Sequence, residues 1–428
     1  MNIIRGEVVD TAAARAFLEE LPQAIAATLQ GQPLVAEEVL RAAEVLWQQL
    51  RTQETLELLL ALGVGRHSAE DMLREAAQFL SRGYLETKLR RELGPQPFAP
   101  RLVEPGITEQ QVPLGVLTHI AAGNAAGLPA FSVLEGLLAG NINLLKLPGQ
   151  DDGLSAALLL RLLEVEPRLA QYVYVFDLPS TDASAIGKLL AVSDAVAVWG
   201  GDFAVSGIRA LAPPHVPILE WGHKLSFAWV TAAGESPAAL DAIARDICQT
   251  EQLLCSSPQC VYFHTESFAE LQAFAARFGA ALGRVSGEIP PQPLEPAVQA
   301  EITALAELTR VEELLAPKKV YWGEGWTVIA DMDPALRPTP MFRTVWVKPL
   351  TAGTALDTLR AQRGYLQTAG LACGPQERQA LMALLLRCGL CRVMPCGQMA
   401  SNYAGEPHDG ASALRRYTRT AVIRENQD

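Results

Sequence analysis

The sequence Gly-Val-Leu-Thr-His-Ile-Ala-Ala-Gly-Asn-Ala-Ala-Gly-Leu-Pro (115–129) passes from a short apolar segment, through small residues, into a segment with helical spacing. The same alternation continues to about residue 230. Short apolar strands separated by helices are typical of a parallel sheet that helices cover on both faces. Dinucleotide-type ligands bind at the carboxyl ends of such strands. The sequence therefore predicts an α/β fold with a ligand site where strands lead into helices.

Two successive α/β units are predicted, joined near residues 225–235. In the first, we predict strands at Gly115–Ile120, Asn141–Leu147, Tyr172–Phe176, Ala195–Trp199, Val216–Leu219 and Phe227–Val230. The helices between them are predicted at Pro129–Leu138, Leu154–Leu163, Ala183–Leu190 and Phe203–Leu211. In the second, we predict helices at Ala238–Cys248, Phe268–Leu282, Pro296–Leu315 and Glu377–Arg387, and strands at Gln259–His264, Trp326–Ala330, Thr344–Val347 and Arg419–Arg424.

The region before these units has leucines at helical spacing, which predicts helices over about 10–95. A Pro/Gly-rich stretch at 94–106 then ends the helical pattern. The resulting layout is a helical N-terminal region (1–100), a first α/β domain (101–230), a second α/β domain (231–400) and a C-terminal segment (401–428) with a strand available for oligomerisation.

Composition excludes several classes of protein. The net charge is −12 and no stretch is strongly basic, which argues against nucleic-acid binding. The first ten residues lack the basic and apolar segments of a signal peptide, and no window approaches the roughly 20 apolar residues of a membrane span. Seven irregularly spaced cysteines do not suggest a disulfide framework. We expect a cytoplasmic protein.

Cys255 lies in Glu-Gln-Leu-Leu-Cys-Ser-Ser-Pro-Gln (251–259), a polar turn between a predicted helix and a predicted strand. A thiol at such a junction can face a substrate and lie near backbone N–H groups that lower its pKa. Free cysteines are more often buried, and Cys248 and Cys260 fit that interpretation better. Cys388, Cys391 and Cys396 lack the companion ligands of a zinc site, so no metal is predicted.

Two further candidates follow strands of the first unit. Asn124 lies among small residues between a strand and a helix, where its amide could serve as an oxyanion donor or as a helix cap. Lys146 ends the strand Asn-Ile-Asn-Leu-Leu-Lys. Its ammonium could be solvated, or it could bind a ribose or phosphate at the sheet edge.

Two more candidates lie later in the same unit. Gly200 and Gly201 follow a strand and open a helix, where backbone amides receive phosphate, with Asp202 as the expected N-cap. Glu220 follows a short apolar strand. Burial among Leu219 and Trp221 would raise the pKa of Glu220 and suit a general base. A salt bridge to Lys224, or a position as a surface carboxylate, would instead give it no catalytic role.

The order Asn124, Lys146, Gly200–Gly201, Glu220, Cys255 resembles the aldehyde dehydrogenase superfamily. Leu-Glu-Trp-Gly-His-Lys (219–224) is similar to its Leu-Glu-Leu-Gly-Gly-Lys motif, and 251–255 is similar to its Gly-Gln-x-Cys motif with one extra residue. Within it, the likeness is to LuxC-type acyl reductases, through Ala-Gly-Asn-Ala-Ala-Gly (122–127), Val-Trp-Gly-Gly-Asp (198–202), Cys-Ser-Ser-Pro-Gln (255–259), Arg-Thr-Val-Trp-Val (343–347) and His-Asp-Gly (408–410).

The resemblance implies an aldehyde dehydrogenase-like fold, with a Rossmann-like cofactor domain and a catalytic domain that carries the nucleophile. It implies an acyl-CoA or acyl-carrier-protein substrate, an acyl group on Cys255, an oxyanion held by Asn124, proton handling by Glu220, and an aldehyde product. The implied cofactor residues are Lys146, Gly149, Trp199, Gly200, Gly201, Gly222 and Phe342. Gly149 stands where NAD-preferring relatives often have a ribose-binding Glu, which favours NADPH over NADH. A homo-oligomer is also expected.

Three points stay open at this stage. Relatives have a Glu two residues before the Phe342 position, and Pro340 stands there instead, so the grip on the nicotinamide ribose is undefined. One alternative function keeps the fold but oxidises aldehydes to acids or acyl-CoA. Another is a cofactor-independent acyltransferase or hydrolase that uses His223 or His408 as the base.

Overall fold

The computed structural model describes residues 1–61, 66, 70, 73–74, 79–121, 127–149 and 153–425. The chain divides into two compact units, Met1–Gly222 with Tyr403–Asp428, and His223–Asn402. Part of the predicted N-terminal helical region (62–65, 67–69, 71–72 and 75–78) lies outside the described residues.

The first unit is built from strands and helices that alternate after an N-terminal helical region. Its strands are β1 (Asn2–Ile4), β2 (Glu7–Val9), β3 (Arg101–Glu104), β4 (Ile107–Pro113), β5 (Val116–Ile120), β6 (Ile142–Lys146), β7 (Val173–Phe176), β8 (Ala195–Trp199) and β9 (Ile218–Trp221). Its helices are α1 (Thr11–Gln30), α2 (Ala36–Leu50), α3 (Gln53–Ala61), α4 (Arg82–Leu93), α5 (Leu128–Leu138), α6 (Leu154–Val165), α7 (Ala183–Ala191) and α8 (Asp202–Leu211).

The second unit contains β10 (Leu225–Val230), β11 (Pro258–Phe263), β12 (Lys318–Gly323), β13 (Trp326–Asp331), β14 (Thr344–Pro349), β15 (Leu366–Ala372) and β16 (Arg392–Pro395). Its helices are α9 (Pro237–Cys248), α10 (Phe268–Glu288), α11 (Pro296–Glu312), α12 (Ala355–Arg360) and α13 (Arg378–Cys388). The chain then returns to the first unit with α14 (Ala413–Arg416) and β17 (Thr418–Arg424).

The main sheet of the first unit has the strand order β2-β1-β7-β6-β5-β8-β9. Strands β7, β6, β5, β8 and β9 are parallel, which confirms the predicted alternation. The order reverses between β5 and β8, and an α/β sheet opens a ligand crevice at such a point, beyond the carboxyl ends of the strands. Ala121 and Gly200, which directly follow β5 and β8, therefore flank the crevice.

The first two strands were not predicted. β1 and β2 form a hairpin that extends the main sheet through the pairing of Ile3 with Val175. Arg5 and Gly6 form its turn, with φ of 53° and 83°. Positive φ at both positions suits a two-residue hairpin turn, but strands of three residues are too short for a periodic signal. A separate antiparallel sheet, β17-β4-β3, contains the predicted C-terminal strand. That strand was assigned to the second unit, and this was wrong, because it pairs with β4 of the first unit.

The sheet of the second unit has the order β12-β13-β14-β11-β10-β15-β16 and is parallel except for β12. The strand predicted at Phe227–Val230 was assigned to the first unit, and this was wrong, because β10 is central in the second sheet. Only three residues separate β9 from β10. Parallel neighbours need a crossover of a dozen or more residues, so the chain must change sheets here.

Strand β15 is fully buried although its sequence, Leu-Gln-Thr-Ala-Gly-Leu-Ala, was not predicted as a strand. Alanine and glycine have low strand propensity, and pairing with β10 and β16 overrides it. Gly370 shows why a small residue is needed, since an added Cβ would lie 2.6 Å from the sulfur of Met399.

A buried ion cluster joins the N-terminal helices to the rest of the first unit. Lys88 of α4 lies 2.6 Å from Glu92 and 2.7 Å from Glu135 of α5, and all three side chains are nearly inaccessible. The Glu92 carboxylate also accepts the backbone N–H of Leu414 in α14 at 2.7 Å. Burial raises the pKa of Glu135, and Lys88 opposes that shift. The cluster thus ties α4, α5 and α14 together through one cation.

We expect Lys88→Met to lower the free energy of unfolding by about 3–5 kcal/mol, because it leaves two buried carboxylates without their cation. Urea denaturation followed by tryptophan fluorescence measures the change. The matched control is Lys188→Met, which removes an exposed pair with Glu19 and should cost less than about 1 kcal/mol. Equal effects of the two substitutions would contradict the assignment.

Candidate functional site

The Gly200–Gly201 segment forms an open cradle at the N-terminus of α8. Gly200 follows β8 with φ of 158°, and Gly201 caps the helix. A Cβ added at Gly201 would meet nothing within 4 Å, so the backbone can approach a ligand closely. Asp202, expected as the N-cap, is instead the first residue of the helix. Exposed N–H groups and the helix dipole make this cradle suitable for a phosphate.

Residues from three sequence motifs, 198–202, 219–224 and 408–410, are in contact beside this cradle. The Trp199 ring stacks on Trp221 at 5.4 Å, and His408 lies 5.3 Å from Trp199 and 5.4 Å from Trp221. The guanidinium of Arg416 lies 4.4 Å from the centre of the Trp221 ring. The Trp199 indole N–H donates to the Ser132 hydroxyl at 3.0 Å. Trp199 therefore supports the cradle through packing, and His408 belongs to an aromatic cluster of the first unit.

Lys146 is buried at the carboxyl end of β6, where the solvated alternative would have left it exposed. Its Nζ donates to the Ser180 hydroxyl at 2.8 Å, in the loop between β7 and α7. Burial lowers the pKa of Lys146, and Asp177 opposes that shift. Gly149, three residues further on, is exposed, and a side chain there would meet nothing within 4 Å. This corner presents an ammonium and a hydroxyl with no carboxylate at position 149.

Glu220 lies in a partly exposed environment at the end of β9. Its carboxylate is 36% exposed and forms an ion pair with Arg209 of α8. Its backbone oxygen accepts from Arg416 at 3.0 Å. Of the two alternatives that the sequence left open, the structure shows the partly exposed, ion-paired carboxylate, with Arg209 rather than Lys224 as its partner. Gly222 follows closely, with its ideal Cβ position 4.0 Å from the Gly200 oxygen.

Asn124 lies outside the described residues, so its role stays a prediction. On either side of the undescribed residues 122–126, Ala121 follows β5 and Gly127, with φ of 74°, caps α5.

Cys255 belongs to the second unit, in the turn between α9 and β11. It is half-buried, whereas Cys248, Cys260 and Cys388 are buried, as predicted for the first two. Burial raises the pKa of Cys248, Cys373 and Cys388, and raises that of Cys260 and Cys396 to about 12. Five of the seven thiols are thus poor nucleophiles at neutral pH.

Gln367 is the functional candidate that sequence reasoning missed. Its side-chain Nε2 donates to the Cys255 sulfur at 3.0 Å, and the residue is only 2% exposed. A second link runs from the Thr368 N–H to the Ser226 hydroxyl at 3.1 Å, and from that hydroxyl to the Cys255 carbonyl at 2.6 Å. Strands β10 and β15 therefore hold both the backbone and the sulfur of Cys255.

Two strained turns lie at the same edge of the second sheet. Glu251 and Gln252, before β11, have φ of 48° and 61°. Met341, Phe342 and Arg343, before β14, have φ of 66°, 47° and 63°. Non-glycine residues rarely adopt this left-handed conformation, and such strain clusters at functional sites.

A buried clamp, the Glu251–Arg343 ion pair, joins the two turns. Arg343 is fully buried, its Nε lies 3.0 and 3.1 Å from the two Glu251 oxygens, and its Nη2 also contacts that carboxylate. The Phe342 N–H donates to the Glu251 carbonyl at 3.0 Å. The Gln252 amide donates to Thr344 O at 3.2 Å and to Pro258 O at 2.9 Å. Glu251 lies four residues before Cys255, so the clamp holds the start of the turn that carries Cys255 (the nucleophile turn).

Phe342 and Glu251 line a cavity of about 400 Å³ in the second unit, next to the clamp. Its other walls include Gln292 in the Pro-rich loop, Ile302 in α11 and Trp326 in β13. The cavity has the size of a small-molecule site.

Two absences apply to the residues that the structure describes. Among them, no group of three or more His, Cys, Asp or Glu side chains is arranged to hold a metal ion. Within the same residues, no helix has the length and apolar character that crossing a membrane requires.

The fold is shared with solved aldehyde dehydrogenases. Betaine aldehyde dehydrogenase of Staphylococcus aureus in complex with NAD⁺ aligns with a TM-score of 0.74 and 14% identity, covering 100% of this chain and 95% of that chain. A benzaldehyde dehydrogenase of Corynebacterium glutamicum aligns with a TM-score of 0.71 and 18% identity, covering 98% and 91%. At these identities the likeness shows the aldehyde dehydrogenase fold alone.

Sequence relatives and a family model narrow the assignment. Long-chain acyl-protein thioester reductases of Vibrio harveyi and Aliivibrio fischeri are each 26% identical over 317 residues, or 72% of this chain. Those matches span 64% and 63% of the relatives' own length. The model of the acyl-CoA reductase (LuxC) family matches residues 33–420. The chain therefore belongs to the LuxC acyl-CoA reductase family and has an aldehyde dehydrogenase fold.

Proposed function

We propose that this chain reduces an acyl thioester to an aldehyde with NADPH, through an acyl group carried on Cys255. The observation that carries the proposal is the half-buried Cys255 sulfur, which accepts a hydrogen bond at 3.0 Å from a buried amide. A thiolate can only accept hydrogen bonds, so an amide N–H that points at the sulfur favours the thiolate over the thiol. An amide cannot act as a general base, so this contact does not support a Cys–His hydrolase.

In the first step, the Cys255 thiolate attacks the carbonyl carbon of the substrate thioester. A bond forms between Cys255 sulfur and the acyl carbon, and the bond to the carrier sulfur breaks, releasing the carrier thiolate, which takes a proton. The clamp and Ser226 hold the nucleophile turn during this exchange. By resemblance, the Asn124 amide would stabilise the oxyanion, as donors of this kind do.

When bound, a nicotinamide cofactor would supply hydride for the second step, at the acyl carbon of the Cys255 thioester. Collapse of the resulting alkoxide breaks the carbon–sulfur bond and returns the thiolate. No water takes part, and Glu220, paired with Arg209 and partly exposed, is not required as a base in this direction. We therefore assign Glu220 a structural role at the end of β9.

The first unit fits the adenosine half of a dinucleotide. The Gly200–Gly201 cradle would bind a pyrophosphate, with Trp199 and Gly222 supporting its backbone. Lys146 and Ser180 present a cation and a hydroxyl at the neighbouring corner. These groups suit a ribose 2′-phosphate, and Gly149 places no carboxylate against it. By resemblance, Phe342 would contact the nicotinamide.

The acyl donor follows from the family. The relatives act on long-chain acyl-proteins by name, and the family model is named for acyl-CoA. The relatives' names lead us to propose a long acyl chain. Because acyl-CoA and acyl-protein present the same thioester to Cys255, a direct assay has to identify the carrier.

The decisive experiment incubates the chain with acyl-CoA or acyl-carrier protein and analyses it by mass spectrometry. Without NADPH we expect one acyl adduct on Cys255, and with NADPH we expect aldehyde. Cys255→Ala should abolish both, by more than about 10³-fold, because the covalent route is lost. Cys391→Ala removes an exposed thiol and should change neither. An adduct on another cysteine, or rapid oxidation of aldehyde to free acid without thioester reduction, would refute the proposal.

Cofactor preference tests the Lys146 corner. We expect Lys146→Ala to raise the KM for NADPH by about tenfold to a hundredfold and to change that for NADH much less, since a charge-assisted contact to the 2′-phosphate is lost. Ser180→Ala should act in the same direction and more weakly. Steady-state kinetics with each cofactor measure both effects, with Lys188→Ala, an exposed lysine of α7, as the control. Equal losses with NADH and NADPH would argue against NADPH selectivity.

The clamp can be tested by removing its buried cation. We expect Arg343→Met to slow single-turnover acylation of Cys255 by about tenfold or more, because Glu251 is left buried and unpaired and the strained turn can relax. Adding Glu251→Gln should restore part of the rate, which a double-mutant cycle detects. Arg337→Met breaks an exposed pair with Asp333 and serves as the control. No coupling between the two clamp substitutions would show that the pair does not position the turn.

A further inference from the structure

The hydrogen bond on the Cys255 sulfur is the last of a chain that starts at a cation. Arg392, at the start of β16, donates from Nη1 to the Thr368 hydroxyl at 3.2 Å. That hydroxyl donates to Oε1 of Gln367 at 3.3 Å, and Nε2 of Gln367 donates to the Cys255 sulfur at 3.0 Å. Arg392 is itself held by the carbonyls of Met399 and Ser401. All of these groups lie in the second unit.

The cation sets the direction of every bond in the chain. A guanidinium can only donate, so the Thr368 oxygen accepts from Arg392 and its proton turns toward Gln367. The Gln367 oxygen is thereby the acceptor, and its NH₂ group must face the sulfur. Thr368 is fully buried and Gln367 nearly so, which leaves little room for the amide to turn over. The sulfur is therefore offered a donor.

Cys391 provides a contrast within the same unit. Its sulfur lies 3.9 Å from the Leu366 carbonyl, which can only accept, so this thiol is the donor of that contact. Gln367 is the next residue of β15 after Leu366, and its side chain donates to the Cys255 sulfur. Of the two sulfurs, the one at Cys391 therefore faces an acceptor and the one at Cys255 faces a donor.

We propose that Gln367 is a catalytic residue, whose amide, oriented by the Thr368–Arg392 relay, keeps the Cys255 sulfur as a thiolate in the resting enzyme and when it leaves from the alkoxide. The inference rests on the proposed function for the role of Cys255. In acylation, the sulfur lone pair forms the bond to the acyl carbon, and the Gln367 donor is released from the sulfur. When the carbon–sulfur bond breaks, the electron pair returns to sulfur and the donor is bound again. Hydrogen bonds within a low-dielectric chain reinforce one another, which is why a distant cation can matter.

The test is the pH dependence of Cys255 alkylation by iodoacetamide, followed by mass spectrometry on the full chain. It needs neither substrate nor cofactor, so it remains informative if thioester reduction is not observed. We expect Gln367→Leu to raise the midpoint pH of alkylation by about one unit, and Gln367→Glu to raise it further, because a carboxylate opposes a second negative charge. Thr368→Val keeps the amide but breaks the relay, and should raise the midpoint by roughly half a unit.

The kinetic counterpart separates this role from a purely structural one. Gln367→Leu should slow acylation by about tenfold near neutral pH, with the loss shrinking as the pH rises above the new midpoint. A packing defect would lower the rate equally at all pH values. The matched control is Gln362→Leu, since Gln362 donates to Leu336 O in the same unit. Alkylation of Cys391 in the same Gln367 variants gives an internal reference.

The outcomes are distinct. A Gln367→Leu midpoint within about 0.2 unit of wild type would overturn the proposal, even in an enzyme that makes aldehyde through Cys255. A shift with Gln367→Leu but none with Thr368→Val would overturn the relay. Failure of the wild-type chain to form an acyl adduct would instead refute the proposed function and leave the measured midpoints to stand by themselves.

Discussion

The Glu251–Arg343 ion pair holds together two turns that would not adopt their conformations by themselves. Five non-glycine residues in these turns have left-handed backbones, each at a cost of about 1–3 kcal/mol. The pair is buried, multiply hydrogen-bonded, and supplemented by the Gln252 amide, which bonds to residues beside both turns. Because a buried charge without its partner is strongly destabilising, neither turn can move far without the other. The position of Cys255 depends on this constraint.

Each unit has its candidate groups at one edge of its own sheet. In the first unit, candidate groups follow the carboxyl ends of β6 and β8, where the reversal of strand order opens a crevice. In the second unit, Cys255, Ser226 and Gln367 lie near the amino ends of β11, β10 and β15. At this edge of the second unit, the Gln367 amide, the Ser226 hydroxyl and the clamp provide hydrogen bonds to the turn that carries Cys255.

Much of the fold was predictable because it depends on periodicity. The α/β alternation and the helices of both units follow from apolar runs and helical spacing, and the structure confirms them. Cys255 could be selected because it is the thiol in a polar turn. For Glu220 the sequence left both burial and a paired surface carboxylate open, and the ion pair with Arg209, eleven residues away on a helix, shows the second. Local sequence does not show whether a side chain near the end of a strand is buried or faces solvent.

The sequence by itself determined the α/β class, the family motifs and the identity of the candidate nucleophile, because these depend on residue type and on spacing along the chain. The tertiary structure decided what surrounds that nucleophile. Gln367 is 112 residues from Cys255 and lies on an Ala/Gly-containing strand with weak propensity, so its contact exists only after β15 has paired with β10. Arg343 reaches Glu251 across 92 residues in the same way. Cys255 was recognisable in the sequence as a thiol in a turn, and only long-range pairing shows that it is held as an acceptor.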